Sequence, residues 1–467
     1  MSRINTNISS LQAINRLGKN QSDLALRLQR LSTGLKINTG KDAPAALIAS
    51  ETLRSEINGI NQAIDNSTRA GNVINTAEGA LSEVSALLLE VQGLTNEAAN
   101  TGALSGQEIA ANQLQVDAIL NSINRIANTT QFNGVKLLNG SLDYTTSGVT
   151  STAIDSFQIN AAKLPDNGYQ TITVEVLASA QLGEVQFSGT QNNGAVTLEV
   201  SGNAGTEQLS FASGTATSAI SFAVNQLAGA TGVSSVVSGS TLRFTSTAFG
   251  SDQYVSLKTI SGSFANGKDF GVDAAVNING TAADVHGTVA SVRSGNLDVN
   301  LTLDSAFAQN TATGTTSFAI TGGGAKFQIG SQVNRQGQIH VGISSVSTTK
   351  LGNEVEGFLS TLASGGANSL VGGNTVQAQK ILSTAIRQVA TLRGSLGALQ
   401  KNVLETNVNS LQIALENVTA SESAIRDADF ASETAALTRA QILVQANTSV
   451  LAQANASPQN VLALLGR

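Results

Sequence analysis

The sequence predicts an α+β fold: a nested, long α-helical coiled-coil hairpin formed by both termini, with antiparallel β domains inserted in the middle. Three observations carry this reading. Apolar residues recur at steps of three, four and seven from residue 4 to 126, and again from 374 to the C-terminus, the spacing of helices that bury one stripe. Between about 155 and 345 the alternation has a period of two, and 11 of the 14 Phe lie between 157 and 327, where half-buried strands hold them. The last helical stretch is almost uncharged: from Leu437 to Gly466 the sole ionised side chain is Arg439. A lone surface helix carries Lys and Glu on its outer face, so this one is built to be covered.

Taken in order, residues 1–35 form the first stripe, with Ile4, Ile8, Leu11, Ile14 and Leu17 followed by Leu24, Leu28, Leu31 and Leu35. Its charge is basic, with Arg3, Arg16, Lys19, Arg27 and Arg30 against Asp23. Residues 32–41 are a turn-rich spacer. Asp42 is predicted to cap a second helix, and Pro44 suits a first turn. That stripe runs through Leu47, Leu53, Ile57, Ile60, Ile64 and Val73 towards Leu94. Thr101–Gly106 interrupts it, and a third helix holds Ile109, Leu114, Val116, Ile119, Ile123 and Ile126.

Turn signals at Gln131-Phe132-Asn133-Gly134 and Leu138-Asn139-Gly140 open the β region. Its strands are read at Ile172, Val174, Val176; Val196, Leu198, Val200; Leu242, Phe244; Leu297, Val299, Leu301, Leu303; and Ile339, Val341, Ile343, enough for two small domains. Helical spacing returns near Asn374 with Leu382, Val389, Leu396 and Val403, then Leu404, Leu411 and Val418. In the closing stretch Phe430, Leu437, Val444 and Leu451 fall seven apart, an apolar seam held over three heptads. Gln445, Asn447, Gln453, Asn455 and Gln459 form a neutral polar remainder, Pro458 is predicted to break the helix, and Val461 and Leu462 belong to an apolar close. The boundaries that follow are 1–42, 43–175, 176–345, 346–425 and 426–467.

The two halves nest: the first helix pairs with the last, the second with the second-last. Each terminal helix shows a stripe it cannot bury alone, and helices gain most of their stability from packing, so the termini are predicted to fold fully only in a polymer. The self-assembly seam comprises Leu24, Leu28, Leu31 and Leu35 on one side, with Phe430, Leu437, Val444, Leu451, Val461 and Leu462 on the other.

Chemistry of other kinds is thinly provided. Without Cys there is no disulfide framework or thiolate site. His286 and His340 have no third ligand at metal-binding spacing, so no metal, cofactor or catalytic group is expected. Gly34 to Lys41 fails as a phosphate loop, since five residues separate its glycines and Asp42 stands where Ser or Thr should be. A net charge of −6 argues against nucleic-acid and anionic-membrane surfaces. The N-terminus has no apolar core of a signal peptide, so the chain is expected to stay inside or to leave by a dedicated channel.

Several segments carry a family signature. Gln29-Arg30-Leu31-Ser32-Thr33-Gly34-Leu35-Lys36-Ile37-Asn38, Thr76-Ala77-Glu78-Gly79-Ala80-Leu81, Thr130-Gln131-Phe132-Asn133-Gly134-Val135-Lys136, Ile425-Arg426-Asp427-Ala428-Asp429-Phe430-Ala431 and Ser457-Pro458-Gln459-Asn460-Val461-Leu462 together resemble bacterial flagellins. The resemblance spans roughly 1–140 and 374–467. It implies a structural subunit that polymerises into the flagellar filament for motility after type III export, extracellular and not an enzyme. By the same resemblance, 1–42 and 426–467 are inner-tube helices, 43–175 and 346–425 the surrounding coiled-coil layer, and 176–345 the exposed outer domains. Within these, Ser210–Val255 and Asn277–Gly280 look like modules inserted in some flagellins and hook-associated proteins. Absent Cys and three Pro suit a chain that threads a channel unfolded.

The implied partners are further copies of the chain, an export chaperone, the filament cap and hook-associated proteins. Two alternatives stay open: a hook–filament junction protein of the same superfamily, which the Ser457–Leu462 ending disfavours, and a flagellin with an enzymatic middle domain, which the missing zinc motif disfavours. Two departures stand out. Asp42-Ala43-Pro44-Ala45 replaces the usual Asp-Ala-Ala-Gly. Leu89, Glu90, Gln92, Gly93 and Leu94 occupy the innate-immune receptor epitope, where stimulatory flagellins carry two arginines; weak or no receptor activation is expected.

Overall fold

The computed structural model describes residues 6–165, 168–309 and 314–465, with side chains described through Ser457. The chain divides into two compact units: Met1–Thr68, Gln328–Gly337 and Glu405–Arg467 in one, Arg69–Phe327 and Gln338–Leu404 in the other.

In the first unit, helix α1 spans Ile8–Thr33. Asn7 opens it by accepting from the Ser10 N–H at 3.0 Å, which satisfies one of the donors left bare at a helix start. Gly34 closes it in the left-handed region (φ 72°), its N–H donating to the Arg30 carbonyl at 2.9 Å; only glycine takes that conformation at no steric cost. Helix α2, Pro44–Ala98, starts on a proline whose missing N–H is not needed there; residues 44–68 belong to this unit. Asp42 does not cap α2 as expected. Its carboxylate turns back to accept from the N–H groups of Asn38 and Thr39 at 3.0 and 2.8 Å, because Ala43 stands between it and the first helical residue. It caps the preceding turn, and those bonds hold its carboxyl below the usual range.

The second unit takes α2 from residue 69 onward, with Ile74, Leu81, Leu88 and Val91 buried. Helix α3, Gly106–Thr129, opens on a reciprocal capping box: Ser105 Oγ accepts from the Glu108 N–H, and Glu108 accepts from the Ser105 N–H at 2.7 Å. Two hydrophobic cores fill the β region. In one, a five-stranded sheet runs in the order 281–282, 275–278, 170–178, 315–323, 144–147, and a four-stranded sheet in the order 284–286, 289–293, 297–303, 154–162. Ile172, Val174, Val299, Leu301 and Phe318 meet between them. Pairing within these sheets is antiparallel, and the alternating residues of the sequence are those that point inward.

The other core lies within 184–270. Sheets 184–188, 241–246, 233–238 and 267–270, 254–261, 196–202, 206–211 enclose Leu198, Val200, Leu242, Phe244 and Val255. Helix α4, Thr217–Gln226, packs into it through Ile220 and Val224, followed by the short α5, Ala228–Thr231. The period-two reading overlooked α4, whose i, i+4 pair of apolar residues is a single helical step and too short to register as a period. Gln181 and Val272 exchange N–H···O bonds at 2.9 Å, so the ends of this insert leave its neighbour side by side. The short α6, Ser305–Ala308, closes the first core.

Helix α7, Thr375–Leu399, buries Ile381, Leu382, Val389 and Leu396, and Arg393 bonds Glu78 of α2 at 2.9 Å. A π-helical stretch, Gln400–Glu405, follows it. Back in the first unit, α8 spans Thr406–Arg426 and α9 spans Phe430–Leu465. Pro458 therefore does not break the last helix. A proline removes one N–H and costs about 3 kcal/mol in a helix interior, a cost that the 36-residue helix absorbs without ending there.

Candidate assembly interface

Helices α1 and α9 pack antiparallel. At one end Asn7 Nδ2 donates to the Ala454 carbonyl at 2.8 Å, and Ser10 Oγ to Asn455 Oδ1 at 2.7 Å. At the other, the chain segments flanking both helices pair as a short antiparallel bridge. Lys36 N–H donates to the Arg426 carbonyl at 2.7 Å, Ala428 N–H to the Gly34 carbonyl at 2.9 Å, and Leu35 lies across from Asp427. Two signature segments far apart in sequence, Gln29–Asn38 and Ile425–Ala431, are thus one structural joint. Asp429 accepts from the Ala431 N–H at 2.9 Å to start α9.

Residues that lose exposure on α1 include 10, 13, 17, 20, 24, 27 and 31, and on α9 they include 433, 437, 440, 444, 447, 451 and 454. Both series alternate steps of three and four, the coiled-coil spacing. Ala13 and Ala440 sit deepest, at 4% and 1% exposure, and small side chains there let the backbones approach. Of the predicted seam, Leu24, Leu31, Leu35, Leu437, Val444 and Leu451 are half-buried, whereas Leu28 and Phe430 are 49% and 58% exposed. Leu28 is one residue past Arg27, the member of the row at that turn, and Phe430 lies at the very start of α9. Val461 and Leu462 lie outside the described side chains, as does Gln459.

The neutral polar residues of α9 do not form one face as expected. Gln445 and Gln453 are exposed, but Asn447 is half-buried on the row facing α1, and Asn455 bonds to Ser10. The angular step of 100° per residue scatters these five positions around the helix instead of collecting them on one face.

An ion-pair cluster that the sequence reading missed lies inside the pair. Glu433, 8% exposed, accepts from Arg27 at 3.0 and 3.1 Å and from Arg30 at 3.1 Å; Arg27 also bonds Asp23 at 3.2 Å. Burial pushes the Glu433 carboxyl up, but the bonds from Arg27 and Arg30 outweigh it and hold the group below its usual range. The bond to Glu433 raises Arg27. The basic bias of residues 1–35, set against an otherwise nearly charge-free last helix, was the signal.

Large apolar side chains remain uncovered on the pair. Ile8, Leu11, Ile14 and Leu28 of α1 are 49–60% exposed, and Phe430, Ile442, Leu443 and Val450 of α9 are 43–63% exposed. A soluble monomer scatters such residues singly; two adjoining helices that keep eight of them form a surface suited to association.

Elsewhere in the first unit, Ser50 Oγ on α2 bonds Glu422 of α8 at 3.2 Å, Arg426 bonds Glu51 at 3.1 Å, and Asn407 Nδ2 reaches both Ser67 Oγ and the Ile329 carbonyl at 3.2 and 2.9 Å. Among the described residues, no group of three His, Cys, Asp or Glu could hold a metal ion.

Residues 4–143 match the bacterial flagellin N-terminal helical region, and residues 379–465 the bacterial flagellin C-terminal helical region. Over 99% of its length, the chain is 31% identical to a flagellin of Salmonella typhimurium, 32% to flagellin D of Vibrio anguillarum and 30% to the B-type flagellin of Pseudomonas aeruginosa, in each case across 99% of the relative.

Proposed function

The chain belongs to the bacterial flagellin family, and we propose that the uncovered faces of α1 and α9 are the surface on which its copies polymerise. It is a structural subunit of the extracellular flagellar filament, and among the described residues no helix is long and apolar enough to cross a membrane. The observation that carries the proposal is that Ile8, Leu11, Ile14, Leu443 and Val450 stay exposed on helices whose inner seam is already occupied. Covering them needs another protein surface of the same character, and further copies of the chain supply it. In this reading 1–42 and 426–467 form the innermost layer, 43–175 and 346–425 a layer around it, and 176–345 the outer domains. An export chaperone, the filament cap and the hook-associated proteins are the heterologous partners, and the chain has no catalytic role.

Electron microscopy of the concentrated, purified chain tests the central part. Filaments of unlimited length support a filament subunit; assembly that stops at short rings or adds only to hook ends would make it a junction protein instead.

The departure at the receptor epitope supports weak or absent receptor activation. Leu89, Glu90 and Gly93 are exposed on α2 and Gln92 is half-buried, while Leu94 is buried at 9% exposure. A receptor surface evolved for two arginines meets a carboxylate and an amide, and a reversed charge at a paired site costs more than a missing one. A reporter assay with monomer should show potency several orders of magnitude below a stimulatory flagellin, with partial recovery in Glu90→Arg/Gln92→Arg/Gly93→Glu. Full potency in the unaltered chain would refute it.

A further inference from the structure

A cleft in the second unit has the chemistry of a binding site that the filament role does not use. It measures 390 Å3 and runs between the outer face of the sheet made by strands 289–293, 297–303 and 154–162 and helix α7. Volumes of this size hold one or two sugar rings.

Its charged lining is one-sided. Arg293 enters from the sheet, Arg387 from α7 and His286 from the rim, and no carboxylate lines it. Among the described residues neither arginine forms an ion pair; Arg387 donates to Thr384 Oγ1 at 3.3 Å, and both residues are exposed. His286 counts for less, because Asp284 stands 4.0 Å from its Nε2. Asp298 stands across the strand pair from Arg293 on the same face and partly offsets it, although it accepts from Asn160 and makes no ion pair there among the described residues. With Arg387 the balance at the concavity is still positive, in a chain of net charge −6. A guanidinium offers a planar fork of donors that matches carboxylate, sulfate and phosphate oxygens.

The remaining walls are hydroxyls and amides. Ser291, Asn300 and Thr302 project from the sheet, and Thr384 and Thr391 from α7, while the Gln388 amide is taken up by the Gly352 backbone at 2.8 and 2.9 Å. These groups both donate and accept, as sugar hydroxyls do. Phe157, 39% exposed, lines the same cleft and offers an apolar face to the C–H side of a pyranose ring. The adjoining larger cleft carries Asp143, Asp155 and Glu354 against Lys350, so its balance is acidic where this end is basic.

We propose that the cleft between the 289–303 strands and α7 binds an acidic saccharide, with Arg293 and Arg387 holding its carboxylate, sulfate or phosphate group and the hydroxyl and amide walls reading its sugar hydroxyls. Titration of full-length monomer with digalacturonate and with a sulfated disaccharide, followed by calorimetry and amide chemical shifts, tests it. Both acidic disaccharides should bind, lactose at least tenfold more weakly, and the affinity should fall as salt rises. Arg293→Gln and Arg387→Gln should each weaken binding on the order of tenfold, while Arg54→Gln, on an exposed face of α2, leaves it unchanged. Equal binding of lactose, or arginine variants that bind as the unaltered chain does, overturns the proposal. So does inorganic sulfate displacing the disaccharides mole for mole, which would make this a site for the oxyanion alone.

Discussion

Two helical regions of this chain use the same apolar spacing to opposite ends. Along α3, α7 and the part of α2 beyond residue 69, the large residues point inward: Ile74, Leu81, Leu88, Ile123, Ile381 and Leu382 are at most 1% exposed. Along α1 and α9 the deepest apolar positions are Ala13 and Ala440, a buried ion-pair cluster occupies the seam, the leucines and valine of that seam are only half-buried, and further large side chains stay exposed. A stripe therefore says that a helix will be covered, without saying by what. How deeply the large residues are buried decides it. Large residues fully buried give a self-sufficient core, whereas a seam whose leucines stay half-buried, with more large residues left exposed, gives a pair that is complete only among copies.

The widest separation of the two regions should come from deletion. Removing 430–467 should abolish polymerisation altogether, because α1 loses its partner and half the exposed surface disappears. The helical and β signals of the second unit should unfold at an unchanged temperature, checked by circular dichroism. Filaments from the truncated chain would break the comparison.

A point change in the other region should do the reverse. Leu81→Ala removes a fully buried side chain and should cost about 2–5 kcal/mol of stability through lost burial and the cavity left behind. Leu11→Ala, at a 60% exposed position, should change monomer stability by less than about 1 kcal/mol. Denaturant unfolding of both variants separates the two outcomes.

Acid should act next, and on the first region. Glu433 has its carboxyl held down by Arg27 and Arg30. A group lowered in the folded state contributes stability that is fully present above its unfolded value, near 4.5, and is lost as pH falls through the folded value. The α1·α9 pair should therefore weaken as the solution is acidified below that point, and the critical concentration for assembly should rise. In Glu433→Gln the critical concentration should already be raised on the order of tenfold at neutral pH, with a flatter acid dependence. An identical acid profile in the variant would remove Glu433 from the account.

The smallest effect is expected from the outer β region. Gln181 and Val272 lie side by side and exchange hydrogen bonds, so excising 182–271 and joining the ends should leave the critical concentration within about twofold. Loss of assembly would mean that this insert carries subunit contacts of its own.

Much of this was legible in the sequence, for physical reasons that differ by region. Long helices announce themselves because an error in one residue hardly disturbs a stripe such as Phe430, Leu437, Val444 and Leu451. Strands with one buried face, such as Leu297 to Leu303, are legible because a one-residue slip would expose every apolar side chain. The local breaks were less legible. Pro458 has a fixed cost that the long helix absorbs, Asp42 has two possible sets of N–H groups within reach, and α4 is too short to establish a period. The seam itself was half visible: heptads identified Leu437, Val444 and Leu451, but whether Leu28 or Ile14 faces the partner or the solvent depends on the helix against which α1 rests. The Arg27–Arg30–Glu433 cluster joins residues about 400 positions apart, and no pattern within either helix specifies that pairing.

The uncovered apolar residues of α1 and α9 are tested most directly by the critical concentration of an Ile14→Ser/Leu443→Ser double variant, taken by sedimentation at neutral pH. Both side chains are exposed in the single chain, at 51% and 43%, so its monomer should unfold as the unaltered protein does. Losing two apolar side chains from the covered surface, at about 2 kcal/mol each, should raise the critical concentration by roughly two to three orders of magnitude. A variant that polymerises at the unaltered concentration would contradict the claim that this face is where copies of the chain meet.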